Sequence, residues 1–95
     1  MENRMTLATA WNPRGELDRF ERLIPSLTEI YAYIVVTVPP QVEQWIVERL
    51  NAVSQIRVFV TQDWGWGRWL ALEKALLCPS ETIHYVDCDR LLRWV

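Results

Sequence analysis

The sequence predicts an α/β domain of three layers, α/β/α, in which helices cover both faces of a mostly parallel sheet. Three observations lead to this prediction. Short apolar, β-branched runs alternate along the chain with stretches whose apolar residues recur at steps of three and four. The connections between them are a few residues long, which favours parallel strands joined by right-handed helical crossovers. Finally, 95 residues suffice for one small domain at most, so residues 1–95 are expected to form a single unit.

The alternation predicts strands and helices in the order β-α-β-α-β-α-β. The strands are expected at residues 5–11, 32–38, 56–61 and 82–86. The helices are expected at residues 16–31, 41–53 and 68–77. Pro25 lies inside the first helix, so a kink or an early end is expected there. Pro39-Pro40 closes the second strand, and Pro40 suits the first position of the following helix.

Composition narrows the kind of protein. Apolar residues make up 51% of the chain, which suits a packed core. The net charge is −2 with both signs mixed, so we expect no nucleic-acid partner, since such a partner would need a basic patch. The apolar run around Ile34–Val36 is far shorter than the ~20 residues of a membrane-spanning helix. No apolar leader follows Met1, and Cys78 and Cys88 lack metal-type spacing, which favours reduced thiols in a cytoplasmic, at most peripherally membrane-bound protein.

Tryptophan is abundant, with six in the chain. Trp45 and Trp69 fall on the apolar stripes of predicted helices and are expected in the core. Trp11, Trp64 and Trp66 fall in or beside loops, where a tryptophan can stack on a ligand or shield the core.

The stretch with the strongest chemical signal is Ile83-His84-Tyr85-Val86-Asp87-Cys88-Asp89-Arg90. If this buried strand continues through the aspartates, Asp87 and Asp89 point to the same side. Two carboxylates this close repel each other unless a cation lies near them, and Mn²⁺ or Mg²⁺ prefers such oxygen ligands. The carboxyl ends of parallel strands are also where ligands bind in open sheets. The alternative is an ordinary turn, in which aspartate bonds nearby backbone amides. His84 is expected to be a satisfied strand residue and not a base.

A second candidate is the loop Asp63-Trp64-Gly65-Trp66-Gly67-Arg68 at the start of the third helix. Free N–H groups at a helix start favour an anion, and Arg68 can add two parallel bonds to a phosphate. The alternative leaves Arg68 solvated or paired with Glu73. The glycine spacing differs from the dinucleotide-binding fingerprint, so no NAD site is predicted. Thr9, Asn12 and Arg14, at the end of the first strand, lie where the base or ribose of a ligand can sit, although turn chemistry explains Asn12-Pro13 equally well.

In its strand–helix order and in its last third, the chain resembles the N-terminal, donor-binding half of GT-A type nucleotide-sugar glycosyltransferases. In that family a helix start containing Gly and Arg or Asn precedes a strand that ends in Asp-x-Asp. The corresponding segments here are Gly65-Trp66-Gly67-Arg68 and Asp87-Cys88-Asp89. The resemblance implies a Rossmann-like fold and the transfer of a sugar from a metal-bound nucleotide-diphosphate sugar to an unidentified acceptor.

The resemblance also implies roles for individual residues. Asp87 would contact the ribose or the metal, and Asp89 would bind the Mn²⁺ or Mg²⁺ that bridges the diphosphate. Arg68 would lie near the donor. The residues that line the nucleobase pocket would be Thr9, Ala10, Trp11 and Asn12. One departure concerns base recognition, because many members carry acidic residues after the second strand, where this chain has Val38-Pro39-Pro40.

Two other functions fit parts of the pattern. A phosphatase of the haloacid-dehalogenase type would use Asp87 as nucleophile and Asp89 as acid/base. It is disfavoured, because Leu91 stands where Thr or Val is expected and because its nucleophile usually follows the first strand. The other is a non-catalytic binding or assembly module that forms a homo-oligomer through an apolar surface. The apolar end Leu91-Leu92-Arg93-Trp94-Val95 favours this module for the chain as given, and predicts that the chain is the N-terminal part of a longer one.

Overall fold

The computed structural model describes residues 5–93, which form the predicted α/β arrangement. The strands are β1 (Met5–Ala10), β2 (Tyr33–Val38), β3 (Ile56–Val60) and β4 (Thr82–Tyr85). The helices are α1 (Leu17–Ile30), α2 (Gln44–Asn51), α3 (Gly67–Ala75) and α4 (Cys88–Leu92), with a 3-10 turn at Trp64–Trp66. Among the described residues, no helix is both long enough and apolar enough to cross a membrane.

The four strands form one parallel sheet in the order β3-β2-β1-β4. The chain builds outward from β1 through β2 to β3, and then returns to place β4 on the other side of β1. This is the order of the first four strands in doubly wound sheets, and the direction of winding reverses between β1 and β4. In register, Thr6 lies between Tyr33 of β2 and Ile83 of β4. The predicted parallel sheet is confirmed, and the carboxyl ends of its strands lie at one edge.

Helices cover both faces of the sheet, which gives the predicted three layers. On one face, α1, α2 and α4 pack with Leu7 and Val36 in the larger core cluster. On the other face, α3 packs with Ala8 and Val35. Consecutive strand residues divide between the faces because side chains alternate along a strand. β1 and β2 are therefore buried on both sides, which explains their unbroken apolar runs.

α3 approaches the sheet through small residues. Gly67, Ala71 and Ala75 recur every four residues, so they share one side of the helix, and all three are buried. The Thr37 hydroxyl donates a buried hydrogen bond of 2.8 Å to the carbonyl oxygen of Gly67, which ties the start of α3 to β2. Trp69 consequently points away from the sheet and is 63% exposed. Its expected place in the core is wrong.

The second helix starts later than predicted. Pro40 lies in a turn, and α2 begins only at Gln44, so Pro40 does not open the helix. Trp45 is 49% exposed, which makes its expected burial wrong as well. The residues of α2 that are buried instead are Ile46, Val47 and Leu50.

The other predicted boundaries agree with the structure within two residues. α1 continues through Pro25 to Ile30, so of the two expected effects of the proline, a kink or an early end, the early end does not occur. The Thr28 hydroxyl donates to the carbonyl oxygen of Ile24, four residues earlier, at 3.0 Å in the turn that follows the proline.

The residues after β4 form a helix that the sequence pattern did not indicate. The backbone is still extended at Asp87, and α4 begins at Cys88. Leu91 and Leu92 are buried in the larger core cluster, so this part of the apolar C-terminal run belongs to the core. β4 itself is only half-buried at the sheet edge and is not the buried strand expected. Trp94 and Val95, like residues 1–4, lie outside the described residues.

Candidate functional site

A pocket opens at the carboxyl edge of the sheet, between β1 and β4. Its volume is about 570 Å³, and ligand pockets usually measure ~300–1,000 Å³. The pocket lies where the strand order reverses, which is the crevice in which open parallel sheets bind ligands. It is lined by the loop after β1, the start of α3 and the segment after β4. The lining residues are Ala10, Trp11, Asn12, Arg14, Glu16, Trp64, Gly65, Arg68, Asp87, Asp89 and Leu92.

The structure brings together most of the residues selected from the sequence. Those in the pocket are Ala10, Trp11, Asn12, Arg68, Asp87 and Asp89. Thr9 is placed elsewhere, because its side chain is fully buried on the same side of β1 as Leu7. Arg14, which was also expected near a ligand at the end of the first strand, lines the pocket as well, whereas Glu16 was expected only as the first residue of a helix.

Trp11 contributes to one wall, but most of its surface belongs to the core. It is 2% exposed, and its ring stacks on Phe20 with centroids 4.8 Å apart and an interplanar angle of 17°. Its indole Nε1 donates to Glu16 Oε1 at 3.3 Å, and the backbone N–H of Arg14 donates to the same oxygen. Glu16 therefore holds the loop after β1 against the ring. This arrangement had no signal in the sequence, because it depends on how the loop folds back.

The start of α3 forms the second wall. Asp63 caps the 3-10 turn, since its Oδ1 accepts a hydrogen bond of 3.0 Å from the N–H of Gly65. The ring of Trp64 lies so close to Gly67 that a Cβ atom there would meet its Cζ3 at 2.8 Å. Glycine at this position thus lets the ring pack against the backbone. The first turn of α3 then carries Arg68 into the wall of the pocket.

Asp87 connects the start of α3 with the end of β4. Its Oδ2 accepts a hydrogen bond of 3.0 Å from Arg68 Nη2, and its Oδ1 accepts one of 2.7 Å from the Tyr85 hydroxyl. Burial, followed by the bond to the Asp87 carboxylate, raises the pKa of Tyr85 above its ordinary value, so the hydroxyl stays protonated. Arg68 therefore pairs with Asp87, and not with Glu73, the alternative partner considered from the sequence.

Asp89 lies in the first turn of α4. Its side chain is exposed, lines the pocket, and makes no hydrogen bond or ion pair with any described residue. Asp87 and Asp89 share the pocket, but not because a strand continues through both. Cys88 turns inward between them and is buried, which leaves the two carboxylates on the outside.

Cys88 and His84 lie outside the pocket lining. Burial raises the pKa of the Cys88 thiol to about 12, so the thiol stays neutral and is a poor metal ligand. The Nδ1 atom of His84 lies 2.8 Å from the Tyr31 hydroxyl, which satisfies it at the sheet edge. The Ser80 hydroxyl bonds to a threonine of β1. These three side chains therefore build no nucleophilic set with Asp87.

Two carboxylates of the pocket are the groups that could hold a divalent ion arriving with a phosphate. Within residues 5–93, no three His, Cys, Asp or Glu side chains are grouped so that they could hold a metal ion. Mg²⁺ is, however, commonly bound by one or two carboxylates together with waters and substrate phosphates. Asp87 and Asp89 supply carboxylates of this kind, and Arg14 and Arg68 line the same pocket with groups that bind phosphate.

Fold and site together define the class of protein: an α/β domain of the doubly wound type with a polar pocket at its switch point. Comparison with family models, with curated proteins and with solved structures finds no match for this chain. The fold class is therefore established by the structure itself, and the function has to be argued from the pocket.

Proposed function

We propose that the protein is the donor-binding domain of a metal-dependent glycosyltransferase. It binds a nucleotide-diphosphate sugar together with Mn²⁺ or Mg²⁺, and the sugar is transferred from this donor to an acceptor. The observation that carries the proposal is the presence of Arg14, Arg68, Asp87 and Asp89 in one pocket at the switch point. Such a pocket offers both charges that a metal diphosphate needs. Guanidinium groups suit the phosphate oxygens, and carboxylates suit the cation.

Charge balance explains why a cation belongs to the proposed complex. The charged lining residues are two arginines and the acidic residues Glu16, Asp87 and Asp89, so the pocket carries one excess negative charge. A diphosphate on its own would enter a cleft of its own sign, which is unfavourable where the dielectric is low. A divalent cation changes the net charge of the pocket from negative to positive, and the carboxylate of Asp89 has no partner among the described residues that would compete with the cation.

The other walls suit the remainder of a sugar nucleotide. Asn12 offers a polar side chain to a base or ribose, and the half-buried Trp64 offers an aromatic surface beside Arg68. A cation held at Asp89 would supply positive charge for the diphosphate that departs. Arg68 contributes positive charge to the same oxygens, and Leu92 keeps one side of the pocket apolar.

Calorimetric titration tests the proposal. UDP, GDP and their sugar conjugates are titrated with Mn²⁺ and, separately, with EDTA. We expect binding to be roughly tenfold tighter with Mn²⁺, or about 1.4 kcal/mol, and Asp89→Ala to remove that gain. Asp18→Ala, which removes an exposed carboxylate of α1 outside the pocket, is the matched control. Equal affinity in both buffers contradicts the metal site, and the absence of nucleotide binding contradicts the whole proposal.

A second candidate function, a non-catalytic assembly module, is favoured by one surface. Four large apolar side chains remain exposed on the outer side of α3 and at its ends. They are 61% to 74% exposed and belong to Trp66, Trp69, Leu76 and Leu77. Large exposed apolar surfaces commonly mark interfaces. The partner in this proposal is a second copy of the chain, since most homodimers pair identical surfaces.

Sedimentation velocity at two protein concentrations separates the two candidates. If the protein is an assembly module, it should form a dimer that the substitution Trp69→Glu dissociates. It should also have no affinity for nucleotides. A monomer at both concentrations contradicts it.

Either candidate fits a cytoplasmic location, because Cys78 and Cys88 are both free thiols, as is usual in a reducing compartment.

A further inference from the structure

Both oxygens of the Asp87 carboxylate already have partners within the protein. The Tyr85 hydroxyl bonds to Oδ1 at 2.7 Å, and Arg68 Nη2 bonds to Oδ2 at 3.0 Å. Asp89, only two positions later, lines the same pocket without a partner among the described residues. The two aspartates are therefore not equivalent, although the sequence presents them as a symmetrical pair.

We propose that Asp87 is a positioning residue, which orients the Arg68 guanidinium toward the diphosphate and leaves Asp89 alone as the carboxylate of the proposed cation site. This inference rests on the proposed donor site and assigns separate functions to its two aspartates. A guanidinium has five N–H donors in a planar fork, and the bond to Asp87 uses one of them. The remaining donors stay available to the pocket that Arg68 lines.

Arg68 needs such an anchor because little else restrains it. Its side chain is 71% exposed, so an unpaired arginine here would sample many rotamers. Immobilising a long side chain on binding lowers affinity, and a side chain held in advance loses less freedom. Asp87 is suited to hold it, because the Asp87 side chain is itself only 30% exposed and is fixed at its other oxygen.

Tyr85 is the rigid end of this chain of contacts. It lies on β4, where it pairs in register with Ala8 of β1, and its ring packs in the smaller core cluster beneath α3. Residues i and i+2 of an extended segment point to the same side, which places the hydroxyl of Tyr85 against Asp87. The orientation of Arg68 is thus set by the core of the domain through Asp87.

The sign of one effect separates positioning from simple electrostatics. Without a metal, the Asp87 carboxylate repels a phosphate, so removal of its charge should tighten the binding of a diphosphate if charge alone matters. If Asp87 positions Arg68, the same change should weaken binding instead. A metal ligand would give a third pattern, with loss of affinity only when Mn²⁺ is present.

The experiment titrates UDP by calorimetry, in EDTA and in Mn²⁺, into the wild-type protein and variants. In EDTA we expect Asp87→Asn and Arg68→Gln each to weaken UDP binding by roughly fivefold to tenfold. The double variant should bind UDP no more weakly than Arg68→Gln alone, because both single changes remove the same interaction between Arg68 and the phosphate. Tyr85→Phe should give a smaller loss in the same direction. Asp89→Asn should bind UDP in EDTA at least as tightly as the wild type, yet gain nothing from Mn²⁺.

The outcomes separate this inference from the proposed function. Suppose that the wild-type protein binds UDP more tightly with Mn²⁺, but that Asp87→Asn binds UDP in EDTA as tightly as the wild type or more tightly. This result overturns the positioning of Arg68 by Asp87 and is consistent with the proposed donor site. A wild-type protein that binds no UDP in either buffer overturns both. Melting temperatures and circular dichroism show that each variant is folded. Arg68→Lys is the conservative variant, and it should recover part of the affinity lost in Arg68→Gln.

Discussion

Gly67→Ala is a substitution for which the structure makes a definite and unusual prediction. Gly67 has φ −55° and ψ −44°, which an alanine adopts without strain. Its carbonyl oxygen is held by the buried hydroxyl of Thr37 at 2.8 Å, so the backbone cannot easily move away. A Cβ atom would lie 2.8 and 2.9 Å from two carbon atoms of the Trp64 ring, which is closer than van der Waals contact.

Two effects of opposite sign decide the result. Alanine is favoured over glycine in a helix by about 1 kcal/mol or less. Insertion of a methyl group into a packed site costs about 1–3 kcal/mol. We therefore expect Gly67→Ala to destabilise the protein by about 1–2 kcal/mol. In a Trp64→Ala background the ring is gone, and the same change should become neutral or stabilise by up to about 1 kcal/mol.

Urea denaturation of the four proteins in this cycle, followed by circular dichroism at a wavelength that reports helix, measures the coupling. The expected interaction energy between positions 64 and 67 is about 1–3 kcal/mol. Gly15→Ala is the control, since Gly15 has φ +86° and no atom within 4 Å of the added Cβ. Its cost should be equal in both backgrounds. An equal cost of Gly67→Ala in both backgrounds, or a stabilising effect in the wild type, refutes the packing argument.

Three further predictions concern buried groups. Trp11→Ala should cost about 3–5 kcal/mol in urea denaturation, whereas Trp69→Ala should change stability by less than about 1 kcal/mol because Trp69 is 63% exposed. Thr9→Val should raise the pKa of Cys88 further, since the interaction with the Thr9 hydroxyl lowers the pKa of the Cys88 thiol; an unchanged pKa, followed by the ultraviolet absorbance of the thiolate, argues against this. Burial raises the pKa of Cys88 from 9.0 to about 12, so its contribution to stability is complete below pH 9.0 and is lost as the pH rises toward 12. Between these values stability should fall by about 1.4 kcal/mol per pH unit, and Cys88→Ala should remove this part of the slope; equal slopes contradict it.

Local patterns were enough to predict most of the secondary structure. Apolar runs and steps of three and four are visible among neighbouring residues, and the strands and the first three helices agree with them closely. α4 was missed because its five residues carry too little periodicity. α3 shows another limit, since it has apolar residues on both sides. Periodicity does not tell which side faces the sheet, and the small residues Gly67 and Ala71 allow a closer approach than Trp69.

The candidate site was predictable as a set of residues and not as an arrangement. Turn residues and aspartates after apolar runs mark the ends of strands, and in a parallel sheet these ends share one edge. Asn12, Arg68, Asp87 and Asp89 were selected on this basis and line one pocket. Glu16 was not, because its contact with Trp11 depends on the fold of a loop.

The order of residues along the chain was enough to predict the strand–helix alternation, the parallel sheet and the edge at which a ligand is expected. Only the tertiary structure decided that β1 and β4 are neighbours, because strand order depends on how the crossovers cover the two faces and not on any local run of residues. It also decided that Arg68 pairs with Asp87, 19 positions away, while Asp89 stays open. Such a pairing is a matter of distance in space, and the order of residues along the chain does not contain it.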